Sequence, residues 1–237
     1  MNNDPKIWGL GIGPGDPDLI TVKALRILQD VDVIAYPALD GDESLVRSIA
    51  QAHLTSNQEE IIISIPMLSD RYPAQEVYDS ATIEIDEAVN AGKTVAILCE
   101  GDPFFYGSFM YLFNRLSKKH LVSVVPGVTS LAACSSALAL PLAARNDIIS
   151  VIPGPLDEKI IEERLLIANT AAIIKVGRHL GKIKQILRKI GVIDNAHYIE
   201  RATMGNQRIR RLSEMDENTA PYFSMIIVRL SGEILEL

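Results

Sequence analysis

The feature that most constrains this chain is an alternation. Short runs that are apolar throughout take turns with segments whose apolar residues recur at helical spacing. Ile7 to Ile12, Val31 to Tyr36, Ile61 to Ile65, Thr94 to Cys99 and Leu121 to Val125 read as strands. Between them, Thr21 to Gln29 (Val22, Leu25 and Leu28 on one side), Ser44 to Leu54, Ala74 to Ala91 and Tyr106 to Leu116 read as helices. Ser44 suits a helix N-cap, and Gly92 suits the end of the third helix. A strand that is apolar on both faces must be covered on both, which is the condition of a parallel sheet lying between helices.

After Pro126-Gly127 the alternation resumes. Thr129 to Leu138 is a helix of small residues, followed by strand Ile148 to Ile152 and helix Leu156 to Ile167. Strand Thr170 to Val176, helix Leu180 to Ile190 and strand His197 to Arg201 come next. The tail changes character. Gln207 to Leu212 and Tyr222 to Leu230 read as strands with no helix between them, which predicts an antiparallel end to a second sheet. The expected architecture is two α/β domains: residues 1–125 with a mainly parallel sheet and residues 126–237 with a mixed one, joined near Val125. With 237 residues, the chain can bury a sizeable core. It shows no internal repeat and no long linker.

Composition excludes several classes. Apolar residues at 48% and charged residues at 22% argue against a disordered chain. A net charge of −7 disfavours nucleic acid as a partner. The charge is unevenly spread. Residues 1–120 hold 9 Lys+Arg against 18 Asp+Glu, and the remainder hold 14 against 12, so an anionic substrate finds its partners more easily in the second half. Cys99 and Cys134 stand alone in apolar runs and read as buried thiols of a reducing compartment. Met1-Asn2-Asn3-Asp4-Pro5 is polar and acidic, unlike a signal peptide. The run Thr129 to Ala144 is cut by serines and Pro141 and is too short to span a bilayer. A cytoplasmic protein with no membrane partner is expected. His53, His120, His179 and His197 are scattered, so no metal site is expected. No G-x-S-x-G elbow is present. Lys175, Arg178, Lys182, Lys184, Arg188 and Lys189 read as a solvated basic face.

Three loops between a strand and a helix could carry chemistry. Gly9-Leu10-Gly11-Ile12-Gly13-Pro14-Gly15-Asp16-Pro17 lets a ligand approach the backbone closely. It lacks the third glycine of a dinucleotide fingerprint and the Gly-Lys-Ser/Thr of a Walker A loop. Pro14 removes an amide and Asp16 repels phosphate, so a ligand without a polyphosphate suits it; a tight turn that binds nothing fits equally well. Glu100-Gly101-Asp102-Pro103-Phe104-Phe105-Tyr106-Gly107 leaves the carboxyl end of a buried strand, where ligands sit in open sheets. There Asp102 can accept hydrogen bonds, and it also reads as a helix cap with Pro103 at the first helical position. Pro126-Gly127-Val128-Thr129-Ser130 precedes a helix of small residues, which allows close helix packing or close approach of a ligand.

Taken together, G-x-G-P-G-D-P, G-D-P-F-F-Y-G and P-G-V-T-S in this order resemble the tetrapyrrole (class III) S-adenosylmethionine-dependent methyltransferases. The likeness covers essentially the whole chain. Glu100 to Leu112, Val33-Ile-Ala-Tyr-Pro37, Lys175-Val-Gly-Arg-His-Leu180 and Glu200-Arg-Ala-Thr-Met204 most resemble the enzymes that methylate C20 of precorrin-2 or cobalt-factor II. The resemblance implies a homodimer of two α/β domains with the cofactor in the cleft between them. Carried over residue by residue, it assigns S-adenosylmethionine contacts to Pro14, Glu100, Gly101, Asp102, Phe105, Thr129, Ser130, Val176 and Ala202. Most would be backbone or apolar, which suits adenosine and an unphosphorylated amino-acid tail.

Uroporphyrinogen-type members carry an acidic residue after the second strand and then Gly-Lys-Arg. Here Tyr36-Pro37-Ala38 and Ser64-Ile65-Pro66-Met67 stand instead, so uroporphyrinogen is not the expected substrate. Methyl transfer from a sulfonium needs alignment and exclusion of water rather than a protein nucleophile. Glu100 is the candidate acceptor for the proton that leaves carbon. Arg145, Arg178, His179 and Arg201 are candidates to pair with the tetrapyrrole's carboxylates. Methylation at another precorrin position, a diphthine-type protein methyltransferase and a cofactor-binding sensor without turnover are the alternatives.

Overall fold

A computed structural model of the chain describes residues 5–39, 43–65 and 72–231. The Met1–Asp4 opening and Pro66-Met67, both used above, lie outside the described residues. By its contacts the chain divides into two units, Met1–Thr129 and Ser130–Leu237.

The first unit runs β1 (Ile7–Gly11), α1 (Val22–Asp30), β2 (Val33–Leu39), α2 (Leu45–Ala50), β3 (Glu59–Ile65), α3 (Tyr72–Asn90), β4 (Val95–Cys99), α4 (Phe109–Leu116) and β5 (Val122–Val125). Its sheet has the order β3-β2-β4-β1-β5, and every pairing is parallel. The two-residue period of the strands sorts the core onto two faces. Val33, Ala35, Val95, Ile97 and Cys99 pack with Tyr78, Ala81, Ile85 and Val89 of α3 and with Phe109, Leu112 and Leu116 of α4. Leu10, Ile34, Tyr36, Ala96 and Leu98 point the other way, onto Ala24 and Leu28 of α1 and Val46 and Ile49 of α2. Each fully buried Ile or Leu contributes roughly 1.5–3 kcal/mol, so both helical layers are held mainly by such contacts.

Local signals set the ends. Thr21 Oγ1 accepts from Ala24 N–H at 3.2 Å and starts α1. Ser44 Oγ accepts from Arg47 N–H at 3.4 Å and donates to Pro37 O at 2.6 Å. Gly92, with φ 93°, follows α3. The half-exposed edge strand β3 is fastened to α2 by Arg47, whose Nε and Nη2 reach Glu60 at 2.8 and 2.9 Å, while Tyr36 donates its hydroxyl to the same carboxylate. The Arg47 hydrogen bonds hold Glu60 below the usual carboxylate range.

The second unit runs α5 (Ser130–Ala137), β6 (Ile149–Pro153), α6 (Glu158–Leu166), β7 (Thr170–Ile174), α7 (Leu180–Lys189), β8 (Ala196–Glu200), β9 (Arg208–Arg211) and β10 (Ser224–Arg229). Its sheet order is β6-β7-β10-β8-β9. Only β6 and β7 are parallel neighbours; β7–β10, β10–β8 and β8–β9 are antiparallel. Ile173, Tyr198, Ile226 and Val228 face Ile161, Leu165, Ile183 and Leu187 of α6 and α7. Ala172, Ile174, Ile199, Met225 and Ile227 face Ala133 and Cys134 of α5. The parallel first sheet and mixed second sheet are the ones expected from the alternation and its loss in the tail.

Two expectations are corrected. The helix expected from Tyr106 begins only at Phe109, because Tyr106 takes a left-handed φ of 57° that no helix accepts. Lys184 does not belong to a solvated face. It is 2% exposed, and its ammonium donates to the carbonyls of Met215 and Glu217, the latter at 3.0 Å. Its apolar stem lets a charged residue occupy a core position while the head group finds carbonyl partners. Among the described residues, no helix is long and apolar enough to cross a membrane.

Candidate active site

In a parallel sheet all carboxyl ends lie on one edge, and the loops leaving β4, β1 and β5 are neighbours because their strands are. The three loops meet through backbone. Gly101 N–H donates to Gly13 O at 2.8 Å, and Gly13 N–H donates back to Gly101 O at 3.4 Å. Both glycines take left-handed backbone, with φ of 84° at Gly13 and 64° at Gly101. The third loop closes on them at Gly127, where a Cβ would stand 2.0 Å from Gly101 O and 2.8 Å from Gly11 Cα. A Cβ on Gly11 would stand 2.5 Å from Gly127 N. No side chain fits at either position without moving backbone.

Asp102 fastens this junction. Its Oδ1 accepts from Phe104 N–H at 2.9 Å, and its Oδ2 accepts from Gly127 N–H at 3.1 Å. The expected helix-cap role is therefore corrected: Asp102 caps a turn and buckles it to the third loop, and α4 starts beyond it. An ionised carboxylate has about four acceptor positions, so capacity for a ligand remains.

Beside it, burial pushes the Glu100 carboxyl above its ordinary value, which makes it a better base than an exposed glutamate. Burial, and then the charges of Glu100 and Asp102, push the Cys99 thiol well up, and burial takes Cys134 up to about 12. Both cysteines are core thiols rather than nucleophiles. Phe105 is half-buried against the edge of Tyr106, with ring centroids 5.2 Å apart, and Pro14 and Thr129 are likewise partly accessible.

In the second unit, β6, β7 and β8 run in one direction, so their carboxyl ends share an edge. Val176 follows β7 with its side chain fully buried, leaving only its backbone for a ligand. Ala202, 8% exposed, follows β8, and Ser130 opens α5 on the surface. Arg178 is exposed and His179 half-buried in the short turn Gly177–His179. Burial, with Lys182 and Arg178 nearby, pushes His179 down, so at neutral pH it offers a neutral N–H rather than a charge. Arg201 sits on the same edge in left-handed backbone, φ 49°, with its N–H donating to Phe223 O at 2.8 Å.

Arg145 is not brought to this edge. Its turn is closed by Asp147 N–H on Ala144 O at 2.9 Å. Asp147 in turn reaches Arg229 at 3.7 Å, opposite Thr170 at the amino end of β7. Glu200 and Arg208, which are not among the expected site residues, lie side by side at the end of β8 and the start of β9. The available signal was an acidic residue closing a strand that is mostly buried.

The sequence profile of the Tetrapyrrole (Corrin/Porphyrin) Methylases matches residues 6–216. The chain belongs to this family. This tetrapyrrole methylase is 38% identical over 231 residues to the precorrin-2 C(20)-methyltransferase of a Sinorhizobium species, covering 94% of each chain. It is 33% identical over 234 residues to the cobalt-precorrin-2 C(20)-methyltransferase of Salmonella typhimurium, covering 98% of this chain and 99% of that one. The cobalamin biosynthesis protein CobIJ of Mycobacterium tuberculosis is 37% identical over 230 residues; that match takes in 94% of this chain but only 45% of CobIJ, so the chain spans about half that relative's length. Among solved structures, the cobalt precorrin-4 methyltransferase CbiF superposes with a TM-score of 0.72 at 22% identity over 94% of both chains. The uroporphyrin-III C-methyl transferase of Thermus thermophilus, complexed with S-adenyl homocysteine, does so at 0.68 and 22%, over 94% of this chain and 96% of that one. These two likenesses establish a shared fold.

Proposed function

We propose that this tetrapyrrole methylase transfers a methyl group from S-adenosylmethionine to carbon C20 of precorrin-2 or of its cobalt-containing counterpart, in cobalamin biosynthesis. The observation that carries the reading is the match along nearly the full length of both chains to two relatives named for that position, one for each form of the substrate. The enzyme would act in the cytoplasm as a homodimer, without a nucleic-acid partner.

The residues of the first edge suit the methyl donor. The glycine backbone at Gly13 and Gly101, whose amides are spent on each other, lets a ligand come close, and the wall of Phe105, with Pro14 and Thr129, offers mostly uncharged contact. Glu100 and Asp102 are acidic groups there, as is Asp16 in the first loop, and a donor that carries a sulfonium and an ammonium suits them. In the second unit, Ser130, the Val176 backbone and Ala202 are the proposed cofactor contacts. Arg178, His179 and Arg201 are the proposed partners of the macrocycle's carboxylates.

S-adenosylmethionine brings a methyl group already activated by positive sulfur. The chain's own contribution is alignment and dryness. The glycine junction fixes the loop backbone, Phe105 and Pro14 exclude water, and Glu100 accepts the proton released from carbon after methylation. Incubating the protein with methyl-labelled donor and either precorrin-2 or the cobalt form, then weighing the product, tests the reading. One added methyl group on one of the two substrates is expected; an unmodified macrocycle with both would overturn it.

A further inference from the structure

The carboxyl edge of the second sheet carries an ion cluster of which the proposed function uses only Arg201. Ser224 of β10 pairs with Glu200 of β8, and Glu200 pairs with Arg208 of β9, so the three stand at one level along the edge. Neighbouring strands lie about 4.8 Å apart, which places Arg208 one strand beyond Glu200. Glu200 is 3% exposed. Arg201 Nη1 lies 2.9 Å and Arg208 Nη1 3.5 Å from the same oxygen, Oε1. Its other oxygen, Oε2, accepts the Tyr198 hydroxyl. Burial and that hydrogen bond push the Tyr198 phenol up, so it stays a donor at every physiological pH.

A buried carboxylate must be paired, and one guanidinium would suffice. Here two converge on one anion, and the nearby Glu217 carboxylate, which also feels Arg208, is matched by Arg210 at 3.2 Å, so the cluster keeps a surplus positive charge. The surplus faces outward: the Arg201 side chain is 35% exposed and that of Arg208 54%, against 4% for Glu200. Each guanidinium has five N–H donors, and the Glu200 contacts engage only one nitrogen of each. The backbone is also committed. Arg201 and Thr203 hold left-handed φ of 49° and 71° without being glycine, pinned by Arg201 N–H on Phe223 O at 2.8 Å and Thr203 N–H on Gln207 Oε1 at 2.7 Å. Such conformations cost about 1–3 kcal/mol each and persist where the surroundings over-determine them.

We propose that Arg208 forms with Arg201 a guanidinium pair that grips one carboxylate arm of the tetrapyrrole, and that Glu200 is the positioning residue that aims both. The proposal rests on the reading of the substrate as a carboxylate-bearing tetrapyrrole and adds Arg208 and Glu200 to its binding residues. Arg201 and Arg208 supply the two forks, and the fixed carboxylate beneath them limits the geometries they can take. Arg210, on the same strand but paired with Glu217 at 3.2 Å, stands outside the pair.

Steady-state kinetics of Arg208→Ala, Arg208→Lys, Glu200→Gln and Arg210→Ala test it, with both substrates varied. Arg208→Ala is expected to raise the KM for tetrapyrrole about tenfold or more, leaving the KM for the methyl donor and kcat within about twofold. Arg208→Lys restores part of the loss, since it keeps the charge without the fork. Glu200→Gln shifts the same KM in the same direction by a smaller factor, and Arg210→Ala shifts nothing. An Arg208→Ala enzyme with wild-type KM for tetrapyrrole overturns the proposal. Arg208 is half exposed, so its variant carries the test even if Glu200→Gln does not fold. If the wild-type protein methylates neither precorrin-2 nor the cobalt form, the C20 reading fails separately. The pair is then tested by fluorescence titration with uroporphyrin III, where binding about tenfold weaker to Arg208→Ala supports it and equal binding overturns it.

Discussion

At the carboxyl edge of the first sheet, Gly11, Gly13, Gly101 and Gly127 bring three loops into backbone contact. At the carboxyl edge of the second, Gly154 and Gly177 are also present, but Lys175, Arg201 and Thr203 hold left-handed backbone without glycine's freedom. The first edge gives up side chains to gain closeness. The second keeps side chains at three such left-handed positions, against Tyr106 alone at the first. The difference bears on what each edge is built to accept. A surface assembled from main chain suits a ligand recognised by shape, whereas one that keeps Lys175 and Arg201 in strained backbone, each with a cationic side chain, suits an anion.

The sharpest way to break the contrast is to put a side chain into the glycine junction. Gly127→Ala drives a Cβ to 2.0 Å from a backbone oxygen that cannot move aside cheaply. A loss of about 3 kcal/mol in denaturant unfolding is expected, at the upper end of overpacking costs, together with loss of measurable S-adenosylhomocysteine binding. Gly205→Ala, with nothing within 4 Å of its Cβ, should stay within about 0.5 kcal/mol of wild type. Equal behaviour of the two variants would remove the junction from the account.

Asp102→Ala comes next. It strips the acceptor from Phe104 N–H and Gly127 N–H, and losing a charged acceptor costs about 1.5–3 kcal/mol per hydrogen bond. Weaker S-adenosylhomocysteine binding by about ten- to a hundredfold in calorimetry is expected, with Asp102→Asn in between because it keeps one acceptor oxygen. Wild-type affinity in Asp102→Ala would show that the buckle does not shape the site.

A smaller effect concerns pH. Burial raises the Glu100 carboxyl in the folded chain above its value of 4.5 in the unfolded one. The folded state therefore binds this proton more tightly, and the associated stability is present in acid and lost as pH rises through the raised value. Unfolding titrations should show Glu100→Gln matching wild type in acid and exceeding it toward neutral pH. A variant that is less stable at neutral pH would mean that the charged form is favoured in the fold. The smallest expected change is on the strained edge: Thr203→Gly relieves a φ of 71° and should stabilise the protein by about 1 kcal/mol, read as a rise of a few degrees in Tm.

Much of the fold is legible because burial on two faces forces continuous apolar runs; Val95 to Cys99, buried at every position, is the clearest case. Glycine motifs before helices likewise mark the loops that meet at the first edge. What escapes the sequence depends on partners distant in the chain. Asp102 reads as a helix cap because its second partner, Gly127, lies on another strand's loop. Lys184 reads as solvated because helical periodicity does not show the carbonyls of Met215 and Glu217 waiting beneath it. Arg145 reads like the other arginines, yet its turn is tied toward the amino end of β7, which no spacing rule reveals. Glu200 and Arg208 pair across a strand register that only the folded sheet defines.

The most direct test compares the two ligands under changing salt. Calorimetric titrations of S-adenosylhomocysteine and of uroporphyrin III, at about 50 mM and about 500 mM salt, separate recognition by main chain from recognition by charge, since added salt screens exposed charges. The account predicts nucleoside affinity constant to about twofold while tetrapyrrole affinity falls about tenfold or more. Parallel loss of both affinities, or tetrapyrrole binding indifferent to salt, would contradict it.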